Sequence, residues 1–439
     1  AGEGVTLSPQ TKSHFIPEEH GLDSRLLARI DTIAREGIRE GAYPGCQVVV
    51  LKDGKEMYNK AFGTYTYTTG NKEAVPVTPA SVYDVASLTK TTATLLAVMK
   101  LYDKGRLSLT DRVSDYLPYL QDTDKRNITV RELLFHQSGL PSTLLFYQDA
   151  IDEDSYEGTL FKARPDKLHP VRIGRQTWAN PNFRFRPGLT SKVRTAECTL
   201  QVCDSLWLNK SFKKEYLQKI ADAPLRDKRY RYSCVGFILL QQVVEARAGM
   251  PMDEFLAQEF YTPMGLKRTG YLPLSKEEIV PSSVDTFLRK TVLQGFAHDE
   301  SAAFQGDVSG NAGLFSTAEE VAQIYQMLLN GGELNGKRYL SKETCRLFTT
   351  TVAKGCRRGL GFDKPDMQNP AKSPCALSAP ASVYGHTGFT GTCAWVDPDN
   401  GLVYVFLSNR IYPEVWNAKL LKSDIRERIQ EAMYRAVLK

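Results

Sequence analysis

The stretch YDVASLTKTTATLLAVMK, residues 83–100, sets a polar Ser-Leu-Thr-Lys cluster at the head of an otherwise apolar run. Ser87 and Lys90 stand three residues apart, so on a helix they share one face, a turn apart, and can share a proton. Beyond that first turn apolar residues occupy nearly the whole circumference, and Gly105 is placed to close the helix in the left-handed conformation. The pattern predicts a helix over 87–104 that is buried between layers, with Ser87 and Lys90 in its first turn at the edge of the buried element.

The flanking sequence supplies the layers. DSRLLARIDTIAREGIREG, residues 23–41, has an Asp-Ser start, apolar positions at helical spacing and a terminal glycine, which predicts an amphipathic helix. GCQVVVLKDGKEMYNKAFG, residues 45–63, holds two β-rich runs around Asp53-Gly54, a hairpin signal. Near the other end, GTCAWVDPDNGLVYVFLSNR, residues 391–410, predicts two strands about a turn, and a last helix is predicted over about 414–437. Strands from both ends of the chain with helices between them predict an α/β (α+β) architecture: an antiparallel sheet flanked by helices, plus a mainly helical lobe. The expected division is a lead-in at 1–22 and one domain over 23–439, its sheet lobe at about 23–110 and 310–439 and its helical lobe at about 111–309. Within that lobe, residues 143–228 show no regular pattern.

Composition excludes several function classes. With 56 basic and 50 acidic residues the net charge is +6, too small for a general nucleic-acid binder of this length. The one local excess lies at 162–194, where Arg172, Arg175, Arg184 and Arg186 alternate with Trp178, Phe183 and Phe185. Such a stretch could hold phosphates, and more commonly it is a solvated face. No apolar run is long enough to span a bilayer. The eight cysteines and six histidines are scattered without metal-ligand spacing, so neither a metal site nor a cofactor is expected.

A lone Ser-x-x-Lys is weak, and the chain holds a second at Ser211–Lys214 in a charged setting that offers no buried helix start. Two further stretches select the first. RYRYSCVGFILLQQVVEA, residues 229–246, places Tyr232-Ser233-Cys234 just before an apolar helix, and VYGHTGFTGTCAWV, residues 383–396, places His386-Thr387-Gly388 at the edge of the C-terminal strand pair. Together the three resemble the motif set of the penicillin-recognising serine hydrolases, closest to the branch of class C β-lactamases, D-Ala-D-Ala carboxypeptidases, D-aminopeptidases and related esterases. ITVRELLFHQSGLP at 128–141 and GNAGLFSTAEEVAQIYQMLLNGG at 310–332 also look like family sequences, so the resemblance runs from about residue 23 to the end.

The resemblance implies a β-lactamase-like fold and a serine hydrolase. Ser87 would be the nucleophile that forms an acyl-enzyme, and Lys90, its pKa lowered by desolvation, would help take the serine proton. Tyr232 would be the partner acid and base, its phenol pKa lowered by the Lys90 ammonium. His386, Thr387 and Gly388 would line the substrate, and the backbone N–H groups of Ser87 and Phe389 would form the oxyanion hole. Taken separately, Ser87 reads equally well as a helix cap, while Tyr232 reads more readily as a core tyrosine and His386 as a surface histidine.

Two positions depart from the family pattern. Cys234 stands where Asn or Asp is common and cannot replace a side-chain amide in binding an amide substrate. His386 stands where typical β-lactamases carry Lys, and its charge is expected to vary near neutral pH. Both turn the expectation from a dedicated β-lactamase toward a hydrolase of small esters or amides, cell-wall D-amino-acid peptides among them. A non-catalytic binding module with the same fold, and a true β-lactamase, stay open as alternatives. The resemblance further implies a periplasmic or cell-envelope setting and a small-molecule or peptide substrate. Similar modules are joined to a glycoside hydrolase acting on N-acetylglucosamine, and a start at AGEGVTLSPQ without Met is compatible with such a covalent fusion.

Overall fold

The computed structural model describes residues 10–11, 15–68, 70, 73–271 and 275–439. Of the lead-in at 1–22, residues 1–9 and 12–14 lie outside the described residues. Strands from the two ends of the chain build one six-stranded sheet. Its strands are β1 (Gln10–Thr11), β2 (Gly45–Lys52), β3 (Lys55–Gly63), β4 (Tyr384–Gly388), β5 (Thr392–Asp397) and β6 (Leu402–Ser408). The order is β1-β3-β2-β6-β5-β4, antiparallel throughout. Asp53 and Gly54 both take positive φ, 51° and 80°, the backbone of a two-residue hairpin turn whose twist matches the strands it joins.

Both faces of this sheet are covered, which is why VVVL and VYVFL read as apolar runs rather than as alternation. On one face Cys46, Val48, Val50, Trp395, Tyr404 and Phe406 pack against Ile30 and Ala34 of helix α1 (Arg29–Arg39) and Ile429 and Met433 of helix α5 (Ile425–Arg435). On the other face Val49, Leu51, Ala394, Val403 and Val405 join the large core around helix α2 (Leu95–Asp103). Each Val, Leu, Ile, Met and Phe among these contributes about 1.5–3 kcal/mol by leaving water. The terminal helix predicted over 414–437 is divided. Asp424 takes φ 52° between Lys419–Lys422 and α5, and residues 410–417 form loops held by hydrogen bonds from the Arg410 and Asn417 side chains.

Helix α2 is buried on all sides and ends before Gly105, at φ 69°. At its head residues Lys90–Thr94 form a π-type turn, with Lys90 and four Thr and Ala residues fully buried. Thr94 Oγ1 donates to the Gly310 carbonyl at 2.7 Å and Lys90 Nζ to that of Asn311 at 3.0 Å, so the wide turn is fastened to the 310–311 segment. Helix α3 (Cys234–Ala248) packs beside it, capped by the Ser233 side chain and closed by Gly249 at φ 69°. Helix α4 (Ala318–Leu329) lies against the same sheet face as α2. The segment without a regular pattern, 143–228, carries two small three-stranded sheets and a helix at Phe212–Asp222.

Candidate active site

The short strand Tyr83–Asp84 pairs with Phe315-Ser316 and delivers the chain to Ser87, which stands just ahead of the first helical turn. Its Oγ caps no backbone N–H. It accepts instead from Lys90 Nζ at 3.0 Å and from the Tyr232 hydroxyl at 3.0 Å. Lys90 Nζ also donates to the Asn311 carbonyl at 3.0 Å, approaches Cys234 Sγ at 3.5 Å, and lies 4.9 Å from the centre of the Tyr232 ring. Lys90, from the turn that leads into α2, and Tyr232, from the loop before α3, thus meet around the Ser87 oxygen, with Cys234 at the head of α3 beside Lys90.

The turn that presents Ser87 is held from below. Ala86 sits in the left-handed region, φ 51°, a conformation that costs a non-glycine residue about 1–2 kcal/mol. Asp84 offsets this, accepting from the Ala86 N–H at 2.9 Å and the His298 N–H at 2.9 Å. Burial pushes the Asp84 carboxyl up to about 6, those two hydrogen bonds opposing. The end of β4 is tied to the same turn: Thr390 Oγ1 donates to the Asp84 carbonyl and Thr392 Oγ1 to that of Val85, at 2.8 and 3.0 Å. Gly388 is required here, because a Cβ would lie 2.1 Å from Thr392 Oγ1 and 2.7 Å from the Val85 carbonyl. Among the described residues nothing accepts from the N–H of Ser87 or of Phe389, which leaves both free for an oxyanion. The Phe389 ring is half exposed, stacked on His298 with ring centres 5.6 Å apart and under the Arg410 guanidinium.

His386 is buried rather than on the surface. Arg358 Nη1 lies 3.1 Å from its Nε2, and its Nδ1 lies 2.6 Å from the Thr387 carbonyl. Burial and then the Arg358 and Lys90 charges push its pKa down to about 3. The expectation of a charge that varies near neutrality is corrected: this histidine is neutral. Arg358 is the cation here. It ion-pairs with Asp363 at 3.6 Å, donates to the Tyr230 hydroxyl at 3.2 Å and lies 4.9 Å from the Tyr232 ring centre. Burial opposes the Asp363 carboxylate, but Arg358 and Arg357 outweigh it and hold its pKa down to about 2.

The pKa expectations for the central pair are corrected as well. Burial lifts the Tyr232 phenol above its ordinary value, Lys90 and Arg358 opposing without reversing it. Burial disfavours the Lys90 ammonium, yet the negative charge that Cys234 and Tyr232 would carry outweighs it, and the lysine also stands above its ordinary value. The resting site is therefore an ammonium and a neutral phenol, both donating to Ser87.

Three residues were missed by the motif reading. His136, in the stretch HQSG, takes φ 55°, stacks on Phe237, packs at a tilt against Tyr232 and accepts the Ser233 N–H through Nδ1 at 3.0 Å, which fixes the Tyr232 loop. Its position in that stretch was the available signal. Asn311 lies in the family-like stretch 310–332, and its main-chain carbonyl, which no side-chain motif announces, accepts from Lys90. Arg358 gave no signal beyond the pair Arg357-Arg358, since its acid partner is five residues on.

Among the described residues no group of three or more His, Cys, Asp or Glu side chains could hold a metal ion, and no helix is long and apolar enough to cross a membrane. The eight cysteines are free thiols.

The profile of a family described as Beta-lactamase matches residues 30–420. An Escherichia coli (strain K12) protein named "Putative D-alanyl-D-alanine carboxypeptidase" is 27% identical over 423 residues, covering 91% of this chain and 86% of its own length. Among solved structures, EstCE1, described as a hydrolase with promiscuous acyltransferase activity, superposes with a TM-score of 0.65 at 20% identity, covering 93% of this chain and 99% of its own. A penicillin-binding protein homologue from Caulobacter crescentus gives a TM-score of 0.61 at 18% identity, covering 95% and 99%. At these identities the two structures establish the fold.

Proposed function

The chain belongs to the beta-lactamase family, and we propose that within it Ser87 is the nucleophile of an acyl-transfer hydrolase acting on small esters or amides. The observation that carries the proposal is the pair of 3.0 Å hydrogen bonds that Lys90 and Tyr232 direct at Ser87 Oγ. A capping serine would spend its oxygen on helix N–H groups, and a module retaining only the fold has no use for a buried ammonium aimed at a hydroxyl.

In the proposed reaction Tyr232 acts as a phenolate, stabilised by the Lys90 ammonium 4.9 Å from its ring and by the Arg358 guanidinium. It takes the Ser87 proton as Oγ attacks the acyl carbon, and the carbonyl oxygen becomes an oxyanion facing the N–H groups of Ser87 and Phe389. On collapse the bond to the leaving group breaks, and Tyr232 returns the proton to it. Water then attacks the acyl-enzyme with Tyr232 again as base, and Ser87 recovers its proton. Thr387 and Gly388 line the approach, while Cys234 packs beside Lys90.

The substrate proposed is an ester, or a peptide ending in a D-amino acid, in an envelope setting. The name of the Escherichia coli relative supports the peptide arm. Cys234 in place of an amide side chain, and a neutral His386, favour the ester arm over a β-lactam. The test is turnover of nitrophenyl acetate and of an acyl-D-Ala-D-Ala peptide by the parent and Ser87→Ala. Turnover of at least one, lost about a thousandfold in the variant, is expected; equal turnover by both proteins would refute the assignment.

A further inference from the structure

Two basic segments far apart in sequence meet at a cleft away from Ser87. The hairpin Val171–Gly174 and Thr177–Ala179 lies against the loop that follows β6, and the Arg172 guanidinium is 5.3 Å from the Trp178 ring centre and 4.9 Å from that of Trp416. The space between them, about 490 Å3, is lined by Arg172 and Arg175 from one side and Lys419 and Lys422 from the other, with Glu414 the one carboxylate. None of the four cations forms an ion pair with a described residue. This is no general property of the stretch, because Arg186, fourteen residues beyond Arg172, is paired with Glu215 at 2.5 Å.

Of the four, Arg172 is held in place. Arg172 donates from Nε to the Gly174 carbonyl at 3.1 Å and from Nη2 to that of Arg175 at 2.8 Å, which fixes the guanidinium without neutralising it. Lys419 Nζ lies beside Gly41, 3.4 Å from where a Cβ would stand. The Tyr67 hydroxyl on the same wall is buried with no hydrogen-bond partner. Four positive charges gathered by two segments repel one another unless an anion joins them. Against a single acid, four cations suit a dianion better than a lone carboxylate, and a guanidinium fork matches phosphate oxygens.

We propose that this cleft binds a phosphate-bearing small molecule, with Arg172 and Lys419 as its opposed ligands and room for a group of sugar size. The volume falls within the range of small-ligand sites. The proposal is independent of the reaction at Ser87.

The test is calorimetric titration, at constant ionic strength, with glucose 6-phosphate, inorganic phosphate and glucose. Saturable binding of glucose 6-phosphate or phosphate and none of glucose is expected, with Kd at least tenfold weaker in Arg172→Met and in Lys419→Met. Arg184→Met, which removes an exposed cation outside the cleft, should bind as the parent does. Tighter binding of glucose 6-phosphate than of phosphate identifies a phosphorylated sugar-like ligand, and equal binding identifies the free anion. No saturable binding by the parent, or unchanged Kd in both cleft variants, overturns the proposal. Circular dichroism of each variant keeps loss of binding separate from loss of fold.

Discussion

Arg358 and His386 are joined by a hydrogen bond of 3.1 Å from Nη1 to Nε2. A guanidinium only donates, so Nε2 is the acceptor and the imidazole proton sits on Nδ1, facing the Thr387 carbonyl 2.6 Å away. The histidine of the third motif is thereby fixed as one neutral tautomer, and the positive charge beside Tyr232 on that side belongs to Arg358.

Arg358→Gln should therefore lower kcat/KM by about 10–100-fold, the loss of roughly 1.4–2.8 kcal/mol of transition-state stabilisation. Its pH–rate curve should move to higher pH, because the phenolate loses one of its two cations. Arg358→Lys should recover part of the shift. Rate measurements across pH 6 to 10 check this; an unshifted curve in Arg358→Gln would remove the guanidinium from the account.

Tyr232 and Lys90 both titrate above their ordinary values. The phenolate fraction then grows about tenfold per pH unit everywhere below the phenol pKa, with the ammonium still present to stabilise it. Acylation by the parent should climb with a slope near one from pH 7 to 9. His386, at about 3, should add no step near neutrality. Tyr232→Phe should lose the slope together with most of the rate, as stopped-flow acylation at several pH values will show.

Gly388→Ala places a methyl 2.1 Å from Thr392 Oγ1 and 2.7 Å from the Val85 carbonyl. The end of β4 must then separate from the turn at Ala86, moving the Phe389 N–H from the Ser87 N–H. Loss of one oxyanion donor is worth about 10²–10³ in kcat. A fall of that order with KM little changed is expected in steady-state assays.

Cys234 approaches Lys90 and does not face the Ser87 proton directly. Cys234→Ala should leave covalent labelling of the protein intact, which separates a neighbour from a nucleophile. Cys234→Asn supplies the missing side-chain amide and should raise the ratio of amide to ester turnover. Comparison of the two substrates on each variant reads both outcomes.

Much of the fold was legible because its strands are short-range signals: Asp53-Gly54 and the 397–401 turn each announce a hairpin, and the apolar girth of α2 announces a buried helix. The site was legible only as far as its motifs. Ser87 and Lys90 are one turn apart and visible together, whereas Arg358 reaches His386 and Tyr232 through tertiary packing that leaves no spacing to read. The six histidines looked scattered in sequence, yet His136 and His386 flank Tyr232 and His298 lies under Phe389. The Lys90 expectation weighs burial without the charges of Cys234 and Tyr232, and the Tyr232 expectation weighs the Lys90 charge without burial, so both shifts run opposite to expectation.

The most direct measurement is intact-protein mass after exposure to a fluorophosphonate, with Ser87→Ala beside the parent. The account predicts a single adduct on the parent, located by peptide mapping at Ser87 and absent from the variant. A folded parent that takes up no label, or an adduct that persists in Ser87→Ala, would contradict it.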